Sequence, residues 1–192
     1  DEQVPFRKAA PLGLGEDERY GQDLPTAEIY TLYEHCRRAL EKGTTAGLHS
    51  LPLIGSGDWN DGMNRVGSEG KGESVWLGWF LHTVLAAFVP IAEARGELPR
   101  AERWRAHMKA LRRALERHGW DGDWYRRAFF DDGTPLGSAA NAECRIDSIA
   151  QSWSVLSGAG DAERSRMAMN AVDERLVRRD DSLIQLLDPP FD

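Results

Sequence analysis

Gly55-Ser56-Gly57-Asp58-Trp59-Asn60-Asp61-Gly62-Met63-Asn64 is the stretch around which the rest of the chain is organised. It lies between a short apolar run, Leu51 to Ile54, and a long apolar segment, Val75 to Val89. Asp and Asn side chains form bidentate hydrogen bonds with sugar hydroxyls, and the C–H face of a pyranose packs on an aromatic ring. The residue types of this stretch therefore favour a loop that binds a sugar.

The same stretch permits two other interpretations. Asp, Asn and Gly dominate turns for backbone reasons alone, so a connector without chemistry stays open. A calcium loop is a poorer match, because Met63 stands where an EF-hand needs Gly for its sharp turn. No entering helix precedes Asp58 either, which leaves the sugar loop as the favoured interpretation.

Composition restricts the class of partner. A net charge of -7 argues against nucleic acid or an anionic membrane surface and suits a neutral substrate. Cys36 and Cys144 are too few for a disulfide framework, and the five histidines lack the spacing of two ligands on one helix face. The sequence therefore implies no metal. The apolar run from Val75 is interrupted by His82 and Pro90, whereas a membrane span needs about 20 cleaner residues.

The first half of the chain is expected to hold three helices. Residues 1–25 are expected to be irregular because of their prolines and glycines, and residues 26–192 to form the folded part. The expected helices run from an N-cap at Thr26 to Lys42, from Glu73 or Ser74 to Val89, and from Pro99 to His118. The second is apolar all round, which predicts burial on every side, and Pro90 predicts a kink or an end near Val89.

The second half predicts a small β-hairpin over Trp124 to Leu136, where Asp131-Asp132-Gly133 is the turn signal. A short helix over Asp147 to Gly158 and a helix capped by Asp161 follow. Amphipathic and strongly apolar helices thus alternate, which is typical of a layered helical array or toroid. Five long helices are too few to close such a barrel, so a piece of a longer chain is expected.

Several motifs resemble the family 94 glycoside phosphorylases, which include cellobiose and chitobiose phosphorylases. They are Leu51 to Asn64, Gly70-Lys71-Gly72-Glu73-Ser74-Val75-Trp76, Trp124 to Ala128, Phe130 to Gly133, Cys144 to Trp153 and Pro189 to Asp192. The likeness covers essentially Gly21 to Asp192, and is closest to the carboxy-terminal phosphorylase-like domain of cyclic β-1,2-glucan synthases. It implies a mainly α fold, about half of an (α/α)6 barrel with a small β-hairpin.

The resemblance also implies residue roles. Asp61 corresponds to the general acid, and Asp58 and Trp59 to the lining of the sugar subsite, with Asn60 beside them. Asp147 and Gln151 are expected sugar contacts at the acceptor side, in altered spacing. Glu73 is either a further sugar contact or an acid favoured by the dipole of the helix that it opens.

The implied chemistry agrees with these residues. Cleaving a β-glucosidic bond requires a proton on the leaving oxygen. Burial beside Trp59 is expected to raise the pKa of Asp61 and keep it protonated near neutral pH. Inorganic phosphate as co-substrate replaces the water and its base, so one carboxylate suffices and no cofactor is implied. The family's phosphate-contacting residues lie partly ahead of these motifs and partly beyond Asp192.

The expected function is cleavage of β-1,2-glucan by inverting phosphorolysis within a cyclic glucan synthase-like protein. An inverting hydrolase stays open and needs a base about 6.5 to 9.5 Å from Asp61. A non-catalytic domain that holds glucan chains also stays open as an alternative. The 192 residues alone are expected to be inactive and to need the remainder of a parent polypeptide.

Three further expectations complete the sequence analysis. The exposed flank of the apolar helix could promote self-association. The chain is expected on the cytoplasmic side, with its parent in the bacterial inner membrane. Arg126, Arg127 and Arg145 are expected to pair with acids nearby in the sequence, namely Asp131, Asp132 and Glu143.

Overall fold

The computed structural model describes residues 1–11, 13, 19–57 and 61–191, with Asp61 described by its backbone alone. The chain forms two compact units, residues 1–44 and residues 45–192. The helices of the described part are α1 (Leu32–Gly43), α2 (Val75–Ala94), α3 (Leu98–Ala114), α4 (Ser148–Leu156) and α5 (Ala162–Arg175). The chain is therefore mainly α, as expected, whereas its membership of a half-barrel stays a prediction.

The strands are short and form four small sheets in the described part. They are β1 (Gln3–Lys8), β2 (Leu24–Thr31), β3 (Glu73–Ser74), β4 (Ala128–Phe129), β5 (Pro135–Leu136), β6 (Ile146–Asp147), β7 (Val177–Arg178), β8 (Leu183–Ile184) and β9 (Leu187–Asp188). The antiparallel pairs are β1 with β2, β3 with β4, β4 with β5, β6 with β9, and β7 with β8.

The first unit corrects two expectations. Residues 3–8 are not irregular, because they form β1, which pairs with β2 in an antiparallel ribbon where Gln3 lies opposite Thr31. Pro5 is tolerated because both strands of a two-stranded ribbon are edges, and the register shifts directly after it. The expected helix start at Thr26 is also wrong, since residues 24–31 are extended.

The helix of this unit begins five residues later than predicted, with Thr31 as its N-cap. The Thr31 side chain accepts a hydrogen bond from the Glu34 N–H at 3.1 Å. Glu34 in turn pairs with Arg37 and Arg38 on the next turn. The guanidinium of Arg38 lies 4.6 Å from the ring centre of Phe6, so the helix packs on the ribbon through a cation–π contact.

The apolar helix α2 begins as predicted but runs further. The Ser74 side chain caps it by accepting from the Leu77 N–H at 3.0 Å. Pro90 lies inside the helix and does not end it, so the helix continues to Ala94. A proline removes only its own N–H from the ladder, and the Arg95 N–H still donates to the Ile91 carbonyl at 3.2 Å.

Burial of α2 is one-sided. Trp79 and Leu85 are fully buried, whereas Phe80 and Ile91 are 38% and 43% exposed, so the expected burial on every side is wrong. Among the helices of the described residues, α2 is long and apolar enough to cross a bilayer by length and composition. Buried core helices pass the same test, and α2 packs against both α3 and α4.

The remaining predicted elements are largely confirmed. The helix predicted from Pro99 to His118 is α3, followed by a wider π-type turn over Leu115–Gly119. Asp161 caps α5 as expected, and Asp147, predicted as the first residue of a helix, is the N-cap of α4. The helices pack in sequence-adjacent pairs, α2 with α3 and α4 with α5, and the two pairs meet where α2 contacts α4.

The predicted hairpin over Trp124 to Leu136 is present as β4 and β5, and β3 adds a third strand. Ala128 pairs with Leu136 on one side and with Ser74 on the other. The Val75 N–H donates to the Arg127 carbonyl at 3.1 Å. This small sheet therefore fixes where α2 begins.

Two histidines on the packed helices make stability depend on pH. Burial, and second the charge of Arg112, lowers the pKa of His82 on α2, and burial lowers the pKa of His107 on α3. Within the described residues, His82 Nδ1 and His107 Nε2 are buried without a hydrogen-bond partner. Because the two histidines bind a proton more readily in the unfolded chain than in the folded one, protonation favours unfolding. The stability present above their ordinary pKa of 6.5 is therefore lost as pH falls below that value.

We therefore expect the melting temperature to drop as pH is lowered from about 7.5 to about 5.5. The double substitution His82→Gln with His107→Gln removes both titrating groups and should reduce that drop. An equal drop in the parent and the double variant would contradict the assignment. Thermal unfolding monitored by circular dichroism measures both.

Candidate functional site

The centre of the predicted sugar loop, Asp58 to Asn60, lies outside the described residues. Asp61 begins a single 3₁₀ turn, Asp61–Met63, which returns the chain towards the core. The predicted sugar contacts of Asp58, Trp59 and Asn60 and the acid role of Asp61 therefore stay predictions.

Both flanks of the loop are anchored in one apolar cluster. Ile54 precedes residues 58–61 and Met63 and Val66 follow them, and all three apolar side chains are buried. The cluster is completed by Ala128, Leu136 and Cys144, with Phe130 and Leu187 packed against it. The Ile54 N–H also donates to the Gly72 carbonyl at 2.9 Å. Since Ala128 and Leu136 belong to β4 and β5, the ends of the loop are fixed relative to the three-stranded sheet.

The Asp131 carboxylate holds the glycine-rich stretch that follows the loop. It accepts the N–H groups of Glu69 at 2.9 Å, Lys71 at 2.8 Å and Gly72 at 2.9 Å. These hydrogen bonds, that of Glu69 first, lower the pKa of Asp131. The turn between β4 and β5 therefore clamps the segment that leads into β3.

Two glycines allow this close packing. A Cβ at Gly72 would lie 2.4 Å from the Val66 carbonyl oxygen, and one at Gly67 would lie 2.3 Å from Cγ2 of Ile54. Neither position has room for a side chain. The glycines of this motif are therefore required by packing of the backbone.

Glu73, in β3, binds the loop that precedes the motif. Its side chain is 2% exposed. The carboxylate accepts the N–H of Leu51 at 3.0 Å and that of His49 at 3.0 Å, and His49 Nδ1 lies 2.6 Å from Oε2. The backbone of Gly47 also lies on it, since a Cβ there would be 2.5 Å from Glu73 Cδ.

This geometry decides between the two interpretations of Glu73 only in part. Glu73 precedes the N-cap Ser74 and is outside the first turn of α2, so the helix-dipole explanation is wrong. The carboxylate is tied to the 47–51 loop. Its predicted sugar contact stays a prediction.

The ring of His49 lines an open cavity of about 580 Å³. The ring stacks on Phe129 with centroids 3.9 Å apart and lies 5.2 Å from the ring of His118. The walls of the cavity are the 46–49 loop, Glu73 and the 130–133 turn, with Lys71 at the edge. Cavities of roughly 300–1,000 Å³ are typical of small-ligand sites.

Asp147 lies in the interior at the start of α4 and is fully buried, as is Arg127. Its Oδ1 accepts the Ile149 N–H at 2.8 Å, and Oδ2 lies 3.4 Å from Nε of Arg127. Arg127 thus pairs with Asp147. The expected pairing of Arg127 with its sequence neighbours Asp131 or Asp132 is wrong. The predicted sugar contact of Asp147 stays a prediction.

Gln151, one turn further along α4 than Asp147, forms hydrogen bonds with the backbone close to Arg127. Its Oε1 accepts the Tyr125 N–H at 2.7 Å, and its Nε2 donates to the Tyr125 carbonyl at 2.7 Å and the Asp147 carbonyl at 2.9 Å. Both amide protons are therefore engaged with backbone. The described geometry assigns Gln151 a structural role, and its predicted sugar contact stays a prediction.

The sequence of the chain matches a known protein family. The model of the glycosyl hydrolase 94 superfamily, catalytic domain, matches residues 3–192. The chain belongs to the glycosyl hydrolase 94 superfamily. The family expected from the motifs is thereby confirmed.

Relatives within the superfamily act on sugars, by their names. The chain is 53% identical over its whole length to the cyclic beta-(1,2)-glucan synthase NdvB of Rhizobium meliloti (strain 1021), of which it covers 7%. It is 37% identical, over 86% of its length, to 3-O-beta-D-glucopyranosyl-beta-D-glucuronide phosphorylase of Paenibacillus borealis, and covers 21% of that protein. It is 38% identical, over 76% of its length, to solabiose phosphorylase of the same organism, and covers 19%. The chain thus spans about a fifth or less of these relatives.

Sequence reasoning missed two residues of this superfamily chain. His49 was passed over because no second histidine stands at a ligand spacing, and its partner Glu73 is 24 residues away. Arg127 was assigned to nearby acids, whereas its partner Asp147 lies 20 residues further on. Neither contact has a local signal in the sequence.

The contact between Gly47 and Glu73 gives a stability prediction. Gly47→Ala inserts a Cβ into the space of the Glu73 carboxylate and should lower the free energy of unfolding by about 1–3 kcal/mol. Gly43→Ala is the matched control, since a Cβ there has nothing within 4 Å. Denaturant unfolding compares the two, and equal stabilities would show that the loop does not press on Glu73.

The buried ion pair gives a second prediction. Asp147→Ala leaves the fully buried Arg127 without this carboxylate and removes the cap of α4, so unfolding should become easier by about 3–5 kcal/mol. Asp173→Ala, which breaks an exposed pair with Arg179, should cost at most about 1 kcal/mol. Chemical denaturation measures both, and a small effect of Asp147→Ala would contradict the assignment.

Proposed function

We propose that the chain is part of a catalytic domain that shortens β-1,2-linked glucan by inverting phosphorolysis, with inorganic phosphate as co-substrate. The observation that carries this proposal is the superfamily match over residues 3–192, together with 53% identity to a cyclic beta-(1,2)-glucan synthase. Relatives named as phosphorylases support the reaction type. No cofactor enters the proposed reaction.

The proposed role of Asp61 is that of general acid. It gives its proton to the glycosidic oxygen as the bond between that oxygen and the anomeric carbon breaks. An oxygen of phosphate attacks the anomeric carbon from the opposite face, which yields a sugar 1-phosphate of inverted configuration and a shortened glucan. Anchoring of Ile54 and Met63 in one cluster supports this role, because a catalytic acid needs a fixed backbone.

We also propose that α2 to α5 belong to a helical barrel completed by other parts of a longer polypeptide. The support is the pairing of α2 with α3 and of α4 with α5, together with the much greater length of the relatives. Phosphate binding is proposed to involve residues outside these 192. On this view the chain alone turns over nothing. Its place on the cytoplasmic side of a bacterial inner membrane stays a prediction.

The acid role is tested in the complete polypeptide that carries this chain. With β-1,2-glucan and phosphate, the parent should release glucose 1-phosphate. Asp61→Asn should lower that rate by about 10²-fold or more, as loss of a general acid does. The readouts are glucose 1-phosphate and new reducing ends, each followed with and without phosphate.

The matched control is Asp173→Asn, the same chemical change at an exposed position on α5, which should retain full rate. Reducing ends that appear without phosphate would identify a hydrolase and refute phosphorolysis. Glucan binding without cleavage in the parent would leave a domain that only holds chains.

A further inference from the structure

The cavity beside His49 has the properties of a saccharide site outside the Asp58 to Asp61 loop. Its volume of about 580 Å³ suits a sugar unit, and its lining mixes apolar and polar groups. Leu53 and Phe130 supply apolar surface, and Leu48 at the rim is 85% exposed. An apolar wall beside fixed polar groups is what a pyranose ring requires.

His49 is held in one orientation inside this cavity. Nδ1 is 2.6 Å from the buried Glu73 carboxylate, and the ring face stacks on Phe129 at an interplanar angle of 20°. Because the Glu73 carboxylate accepts the hydrogen bond at Nδ1, Nε2 is left as the second hydrogen-bonding atom of the ring. Within the described part of the chain, no hydrogen bond to Nε2 is present. His49 Nε2 is thus fixed in position and, being on the other side of the ring from Nδ1, points away from Glu73.

The other groups of the cavity exclude ligands of other kinds. Glu73, Asp131 and Asp132 outnumber Lys71, so an anion such as phosphate would be repelled. The Glu73 and Asp131 carboxylates already accept several N–H groups each, and no set of three metal-ligating side chains occurs among the residues that the structure describes. A neutral hydroxylated ligand is the class that remains.

We propose that this cavity is a glucosyl-binding subsite, in which His49 Nε2 contacts a sugar hydroxyl and Glu73 acts as the positioning residue for His49. The proposal rests on the proposed function, since it takes a glucan as the ligand. It assigns to His49 a role in substrate binding and to Glu73 the orientation of the ring. No bond is made or broken at this site.

The decisive variant is His49→Asn in the complete polypeptide. An Asn amide retains a donor near the position of Nδ1 for Glu73 and removes Nε2. We expect KM for β-1,2-gluco-oligosaccharides to rise about tenfold, as the loss of one buried hydrogen bond to a substrate predicts. KM for phosphate should be unchanged. His107→Gln, on α3 and outside the cavity, is the histidine control.

Direct binding separates this inference from the proposed reaction. Calorimetric titration of β-1,2-gluco-oligosaccharides without phosphate should show weaker binding by His49→Asn and by Glu73→Gln than by the parent. If the parent shows no phosphorolysis yet His49-dependent binding persists, the proposed function fails and the subsite stands. If phosphorolysis occurs and His49→Asn binds normally, the subsite is refuted.

A measurement on the unmodified protein covers the case in which a variant fails to fold. The ¹⁵N resonance of His49 Nε2 should shift when the oligosaccharide is added, because a hydroxyl hydrogen bond changes the shielding of that nitrogen. The resonance of His107 should not move. An unchanged His49 resonance at saturating oligosaccharide would overturn the proposal.

Discussion

The buried carboxylate of Glu73 is the contact on which the candidate site depends. A carboxylate removed from water is costly unless hydrogen bonds replace its hydration. Here the N–H groups of His49 and Leu51 and the ring of His49 supply them. In satisfying Glu73 these groups fold the 47–51 loop against β3, and β3 leads directly to the cap of α2. The positions of the 47–51 loop and of the cavity wall thus depend on one side chain.

The same solution recurs around the motif. Asp131 is held by three backbone N–H groups, and Asp161 accepts two at the start of α5. Acids that bind backbone fix a loop more tightly than exposed ion pairs, since a backbone donor carries no side-chain entropy. Gly67 and Gly72 make the arrangement possible, because they let one strand of backbone lie directly on another. An acidic chain rich in glycine can therefore be rigid where its chemistry is expected.

Local patterns predicted a good part of this fold. The starts of α2 and α4 to within a residue or two, the cap at Asp161 and the turn at 131–133 were predicted correctly, because capping and turn chemistry act over a few residues. Errors arose where partners are remote in sequence. The ribbon of β1 and β2 pairs residues up to 28 positions apart, as Gln3 with Thr31. Helical periodicity cannot detect such a partner.

The site was predictable to the extent that it is local. The stretch from Gly55 to Asn64 marked itself by composition, whereas His49 gained significance only once Glu73 was folded beside it. Asp147 and Gln151 were predicted as sugar contacts, whereas the contacts that the structure describes for them are with Arg127 and with the backbone. A sequence shows which residues are polar. Whether a buried polar side chain contacts a ligand or the backbone depends on partners 20 or more positions away along the chain.

Asp147 caps α4 and Gln151 lies one turn further along, and both contact the segment from Tyr125 to Arg127. That segment in turn accepts the first N–H of α2. A substitution at position 127 or 147 alone removes one charge of a fully buried pair in which Arg127 Nε lies 3.4 Å from Asp147 Oδ2. Descendant sequences should exchange the two positions together, as a charged pair or as a neutral pair of similar volume. A library randomised at one of them alone should return almost only the parental residue.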